Sequence, residues 1–181
     1  GGGEESYGFL PGDYVRDKDA VASCALAAEI AAFAKEKGKT IYGMLVDIYL
    51  QYGLYREKLI NIVRKGAEGA AEIKAMMKGY RSDPPMTINN SRVVRIDDYE
   101  SLVSIDLRSG EKKRIELIKS DVLQFFLEDG SKISVRPSGT EPKIKFYFSV
   151  NTPLASADKF DETERLLDQR IADIIRDMRL Q

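Results

Sequence analysis

The sequence has 181 residues, enough for one full domain and part of a second, and at 43% hydrophobic and 31% charged it has a globular profile able to bury a substantial core. Lys plus Arg number 28 against 29 Asp plus Glu, so the cationic surplus typical of phosphate-backbone binding is missing and nucleic acid is not expected as a partner. There is no His and a single Cys, Cys24, which excludes Ser/His/Asp and Cys/His catalysis, structural zinc and an intrachain disulfide.

Cys24 stands in an Ala-rich stretch and is expected to be a small buried hydrophobe in a reducing compartment. No apolar run reaches the ~18 residues of a membrane span and no signal peptide opens the chain, so the expectation is a cytoplasmic protein without a membrane partner. The abrupt Gly1-Gly2-Gly3 start without Met suggests a piece of a longer chain.

The first predicted element is a helix capped by Asp17 or Asp19 and running to about Lys37, before Gly38. Its apolar residues, from Val21 through Phe33, cover more than one face, which calls for packing on two sides. Thr40 caps a second helix with a stripe of Ile41, Met44, Leu45, Ile48 and Tyr52, ending at Gly53. Nothing in residues 1–53 reads as a strand, so the covering sheet is expected upstream of this sequence. From Leu54 the pattern changes. Tyr55–Val63 reads as a strand, and Gly66–Lys78 as a helix presenting Ala70, Ile73, Met77 and Tyr80 before the break at Ser82-Asp83-Pro84-Pro85. Short strands follow at 92–97, 101–107 and 113–117, then a hairpin over 122–136 turned by Asp129-Gly130. Ile144, Phe146, Phe148 and Val150 alternate along a last strand with Lys143, Lys145 and Tyr147 on its other face, and a helix from about Asp158 to Leu180 carries an apolar stripe. The sum is an α+β unit, a largely antiparallel sheet with helices on one face.

Between the last two strands lies Arg136-Pro137-Ser138-Gly139-Thr140-Glu141-Pro142-Lys143. Arg136 offers a bidentate fork, Ser138 and Thr140 offer hydroxyls, and Gly139 lets an oxyanion approach the backbone N–H groups. The two prolines stiffen the loop, and Lys145 can add a point charge from the next strand. The same residues also suit an ordinary tight turn. At the other end, Gly3-Glu4-Glu5-Ser6-Tyr7-Gly8 places a carboxylate and a hydroxyl two positions apart, a pattern suited to sugar hydroxyls and equally to an acidic flexible terminus. In Arg16-Asp17-Lys18-Asp19 the two carboxylates suit a helix cap or part of a metal loop.

These segments in this order, Gly-Glu-Glu-Ser-Tyr-Gly, Arg-Asp-Lys-Asp-Ala and Arg-Pro-Ser-Gly-Thr-Glu-Pro-Lys, resemble the α-D-phosphohexomutases, the bacterial phosphoglucomutase/phosphomannomutase family. The resemblance spans the whole chain. It implies an enzyme of four domains around one cleft: a first with a phosphoserine, a second with an Asp-rich magnesium loop, a third with a sugar loop and a fourth with a phosphate loop. By resemblance, Glu4 and Ser6 match the sugar-hydroxyl contacts and Lys18 a basic residue that reaches the substrate. Arg136, Ser138, Gly139 and Thr140 match the phosphate loop, and Lys145 stands where relatives often carry Arg. The family's Ser-His-Asn-Pro stretch and its Asp-Gly-Asp-Gly-Asp loop do not occur here. The chain is therefore expected to be the C-terminal part of such an enzyme. Residues 1–53 would be the helical remnant of an α/β third domain, and residues 54–181 the fourth domain, of TATA-box-binding-protein-like fold. The implied partners are hexose phosphate, hexose 1,6-bisphosphate and the missing N-terminal domains. Magnesium would belong to the parent and not to this part, which would carry no catalytic residue and be inactive alone. The rival reading is a non-catalytic phosphosugar-binding or interaction module on the same fold.

Overall fold

The structure, a computed structural model, describes residues 1–3, 8–14, 17–64 and 66–180. It divides into two compact units, Gly1–Tyr52 and Gly53–Gln181.

In the first unit, two-residue strands β1 (Gly2–Gly3) and β2 (Phe9–Leu10) pair antiparallel, so this region does contain strand, too short to leave an alternating pattern in the sequence. Helix α1 (Ala20–Glu36) begins where Asp19 accepts the Ala22 N–H at 3.0 Å; of the two candidate caps, Asp19 is the one used. Helix α2 (Ile41–Tyr52) begins with the Thr40 hydroxyl accepting the Gly43 N–H at 3.0 Å. Ala34 is the buried residue of α1, and Val46 that of α2, while Val21, Phe33, Ile41, Leu45 and Ile48 are exposed. Cys24 is likewise exposed, not buried. Its helix is apolar on most sides, and no other described element of this unit covers the Cys24 side.

In the second unit, β3 (Leu54–Val63) leads into α3 (Gly66–Ser82), which runs four residues past the expected Lys78 to the Asp83-Pro84-Pro85 break. There follow β4 (Thr87–Ile88), β5 (Ser91–Asp98), β6 (Val103–Asp106), β7 (Lys112–Arg114), β8 (Leu123–Leu127), β9 (Lys132–Pro137) and β10 (Lys143–Thr152). A 3-10 turn at Ala157–Lys159 then opens α4 (Phe160–Asp177). The strands form one antiparallel sheet in the order β3-β10-β9-β8-β5-β6-β7, with β4 attached to β5.

The core follows from alternation. Leu123, Phe125 and Leu127 of β8, Ile133 and Val135 of β9 and Ile144, Phe146, Phe148 and Val150 of β10 are all buried. Above them α4 lays Leu167, Ile171, Ile174 and Ile175, and α3 lays Ile73, Met77 and Tyr80, whose ring meets Phe125 and Phe146 edge-on at 5.9 and 6.3 Å. Ala70, expected on that α3 stripe, is exposed. Both helices occupy one face of the sheet. The other face is polar and internally bonded. Gln124 donates to the Ser134 hydroxyl at 2.9 Å, Ser104 donates to Asp97 at 2.5 Å, and the Arg95 guanidinium lies 3.6 Å from the Phe126 ring centroid. No described helix is long and apolar enough to cross a membrane.

Candidate functional site

The site grows out of strand alternation at one end of the sheet. Val135 is buried in the core, so its neighbour Arg136 falls on the opposite face, where it is exposed. Pro137 ends β9 and Lys143 opens β10, and the register sets Lys145 directly opposite Arg136. Two cations directly across an antiparallel pair repel one another. Such a pair is stabilised when an anion sits between them. Among the described residues Arg136 has no ion-pair partner, while the Lys145 ammonium lies 5.8 Å from the Tyr147 ring centroid.

The loop above them, residues 138–142, is held by four hydrogen bonds. Ser138 N–H donates to the Lys143 carbonyl at 2.8 Å and Lys143 N–H to the Glu141 carbonyl at 2.7 Å. Glu141 N–H donates to the Ser138 hydroxyl oxygen at 3.4 Å. From just past the end of β3, Arg64 N–H reaches the Pro142 carbonyl at 2.8 Å. This leaves the N–H groups of Gly139 and Thr140 without an acceptor among the described residues. The glycine at 139 is not demanded by the turn: its φ lies outside the left-handed region and an added Cβ would meet nothing within 4 Å. What the absent side chain provides is open access from solvent to those N–H groups.

Within the loop, Lys143 is already engaged by Glu141 at 2.5 Å, and that hydrogen bond and charge hold the Glu141 carboxyl below its usual range. Glu141 is thus an anion neutralised by its own neighbour, and the cations paired across the rung below the loop are Arg136 and Lys145. Two N–H groups, the hydroxyls of Ser138 and Thr140, one guanidinium and one ammonium make a donor set with an oxyanion's chemistry.

The second expected site lies in the other unit. Glu4 and Ser6 fall outside the described residues. Lys18 is described: its stem lies against Gly8, where an added Cβ would come within 2.0 Å of the Lys18 Cδ, and its ammonium stands 3.4 Å from Asp17. The Lys18 N–H, donating at 2.7 Å, and then its side chain hold Asp17 below the usual carboxylate range. The segment is closed by Asp19 N–H donating to the Phe9 carbonyl at 3.0 Å. Asp19 caps α1 and Asp17 faces Lys18, and the described residues contain no cluster of three or more acidic, Cys or His side chains able to hold a metal. The magnesium implied for the parent therefore has no fitting donor set among these residues, and no step below runs through it. Sequence reasoning missed Arg64, just past the end of β3, whose N–H braces the loop from about eighty residues away in the chain.

Two family models match the chain: "Phosphoglucomutase/phosphomannomutase, C-terminal domain" over residues 59–167, and "Phosphoglucomutase/phosphomannomutase, alpha/beta/alpha domain III" over residues 1–52. Among curated proteins, a phosphoglucomutase of Staphylococcus haemolyticus is 36% identical over 162 residues, covering 90% of this chain and 28% of that protein. One of Staphylococcus epidermidis is 38% identical over 174 residues, covering 96% of this chain and 30% of that protein. Among solved structures, the open form of the exocytosis-sensitive phosphoprotein pp63/parafusin, a phosphoglucomutase of Paramecium, aligns with a TM-score of 0.55 at 17% identity, covering 95% of this chain and 30% of that one; this likeness is one of fold. The chain spans less than a third of the length of these relatives. Sheet, loop and matched sequence lead to one conclusion: the chain belongs to the phosphoglucomutase/phosphomannomutase family and corresponds to its C-terminal region.

Proposed function

We propose that this chain is the sugar- and phosphate-binding part of a cytoplasmic phosphohexomutase. The parent enzyme would interconvert hexose 1-phosphate and hexose 6-phosphate through a phosphoserine and a hexose 1,6-bisphosphate. The observation that carries the reading is the pairing of Arg136 with Lys145 at the foot of a loop whose Gly139 and Thr140 N–H groups have no acceptor among the described residues. In this role the loop grips the phosphate that is not being transferred, while Glu4, Ser6 and Lys18 read the sugar. Residues 1–53 would serve as the third-domain portion and residues 54–181 as the fourth domain. Phosphoryl transfer gains most from positioning and charge stabilisation, and the residues here supply positioning. The nucleophile and the magnesium belong to the missing domains, so this part alone turns nothing over.

The test uses the full-length parent. Arg136→Ala is expected to raise KM for the hexose phosphate by about tenfold or more, the loss of charge-assisted bonds worth roughly 1.5–3 kcal/mol. Arg136→Lys is expected to recover only part, because a point charge cannot replace the fork. Normal kinetics in Arg136→Ala would reject the reading and leave the loop as a turn.

A further inference from the structure

The register of β10 brings a third polar side chain into line with Arg136 and Lys145. Lys145 pairs with Arg136 of β9 on one side and with Asn61 of β3 on the other, and neither ladder slips. Directly paired antiparallel residues project from the same face with Cβ atoms about 4.5–5.5 Å apart. Arg136, Lys145 and Asn61 therefore make a row across three strands, about 10 Å long. The row lies on the face away from α3 and α4, since the alternate residues Ile144 and Phe146 are buried beneath those helices, and Asn61 is exposed.

Two further features give the row a direction. Beyond Arg136 the sheet ends: β8 starts at Leu123, which pairs with Val135, so no strand residue extends the row on that flank. On the other flank Asn61 is the last member, and the Arg64 N–H bond to the Pro142 carbonyl at 2.8 Å ties this end of β3 to the loop. The nearest carboxylate on the same face of β3 is Glu57, paired with Ser149 two rungs away, with Leu59 between. The row is cationic at one end and a neutral amide at the other.

We propose that Asn61 binds a hydroxyl of the sugar whose phosphate is held by Arg136, Lys145 and the 138–140 loop. The inference rests on the reading of that loop as a phosphate site and adds a residue to it. A phosphate seated between Arg136 and Lys145 has Asn61 as the next polar side chain on the same rung, within reach of a carbon skeleton that runs along the row. An amide supplies two donors and an acceptor, matching a hydroxyl, which both donates and accepts.

The experiment is an NMR titration of the 181-residue chain with inorganic phosphate and, separately, with glucose 6-phosphate. Both are expected to shift the amides of Ser138, Gly139 and Thr140; only the sugar phosphate should shift the Asn61 side-chain NH2. Asn61→Ala should raise the Kd for glucose 6-phosphate about threefold to tenfold, the range of one hydrogen bond, and leave inorganic phosphate unchanged. Asn61→Asp, which puts a carboxylate beside Lys145, should weaken both ligands. Circular dichroism of the two variants confirms that an exposed substitution leaves the sheet intact. If Asn61→Ala affects neither ligand, or both equally, the assignment of Asn61 to the sugar is overturned while the phosphate site stands. If Arg136→Ala leaves phosphate binding unchanged, the phosphate site itself fails and the inference falls with it.

Discussion

Helices α1 and α4 are almost equal in length, 17 and 18 residues, and opposite in fate. In α4 the apolar residues form one stripe, and Leu167 is 0% exposed; in α1 they run most of the way round, and Val21 is 82% exposed. Apolar content buries a helix only against a covering surface, and among the described residues of its unit α1 has only α2 and the two-residue strands β1 and β2 beside it. In the second unit the patterned stripe faces such a surface, the continuous apolar floor of β8, β9 and β10.

The comparison is broken or sharpened first by core truncation. Phe146, fully buried and in edge contact with Tyr80, should cost about 3–5 kcal/mol as Phe146→Ala, while half-exposed Phe33 should cost less than about 1 kcal/mol as Phe33→Ala. Urea unfolding curves measure both, and equal losses would abolish the distinction.

A smaller effect is expected at Arg81 near the end of α3, which bridges Asp98 at 3.2 Å, Glu100 at 2.8 Å and Asp121 at 2.6 Å. Arg81→Ala should cost about 1–3 kcal/mol, since it leaves half-buried Asp98 short of a charged partner. Burial pushes the Asp98 carboxyl up, but the Ser101 hydroxyl, the Glu100 N–H and Arg81 together outweigh it and hold it below its ordinary value. A carboxylate depressed in the folded state binds fewer protons there than when unfolded. Its contribution is full above about pH 4 and is lost as pH falls through the depressed value. Asp98→Asn should therefore destabilise at neutral pH and approach the wild-type protein in acid. A constant difference from pH 7 to pH 2 would contradict this account.

The first unit should respond locally. Asp19→Ala removes the α1 cap and should cost about 1 kcal/mol of helix stability, read as roughly fivefold faster amide exchange at the start of α1 with β10 unaffected. The smallest change is expected at the site itself. Arg136→Ala should leave the unfolding midpoint of the chain within about 0.5 kcal/mol, because the side chain is exposed and faces a like charge, while removing the phosphate-induced shifts at residues 138–140.

Much of the second unit was legible because its signals are local. Asp129-Gly130 announces the hairpin, with Gly130 at φ +85, and alternation from Ile144 to Val150 separates the core from the Lys145 face. The β4–β5 hairpin was missed because Thr87–Ile88 is too short to alternate, although Asn89 and Asn90, at φ 49 and 61, form the two-residue turn that such pairs favour. On β5 a bulge between Val93 and Arg95 lets Val93 and Ile96 share the core, which defeats a strict period of two. The loop residues around Arg136 stood out by composition. Their neighbours Asn61 and Arg64 did not, since only the pairing of β3 with β10 places them there. The Arg81 cluster is hidden for the same reason, as its partners come from β5, the turn after it and the segment before β8.

That pairing also sets a timetable. β3 hydrogen-bonds to no strand except β10 among the described residues, and β10 begins eighty residues after β3 ends. At ribosomal speeds of about 5–20 residues per second, β3 waits roughly 4–16 seconds for its partner to be synthesised. During that interval its ten residues are a nascent strand with both edges open, and the Arg56-Glu57-Lys58 run at its middle supplies charges that discourage pairing with a neighbouring nascent chain.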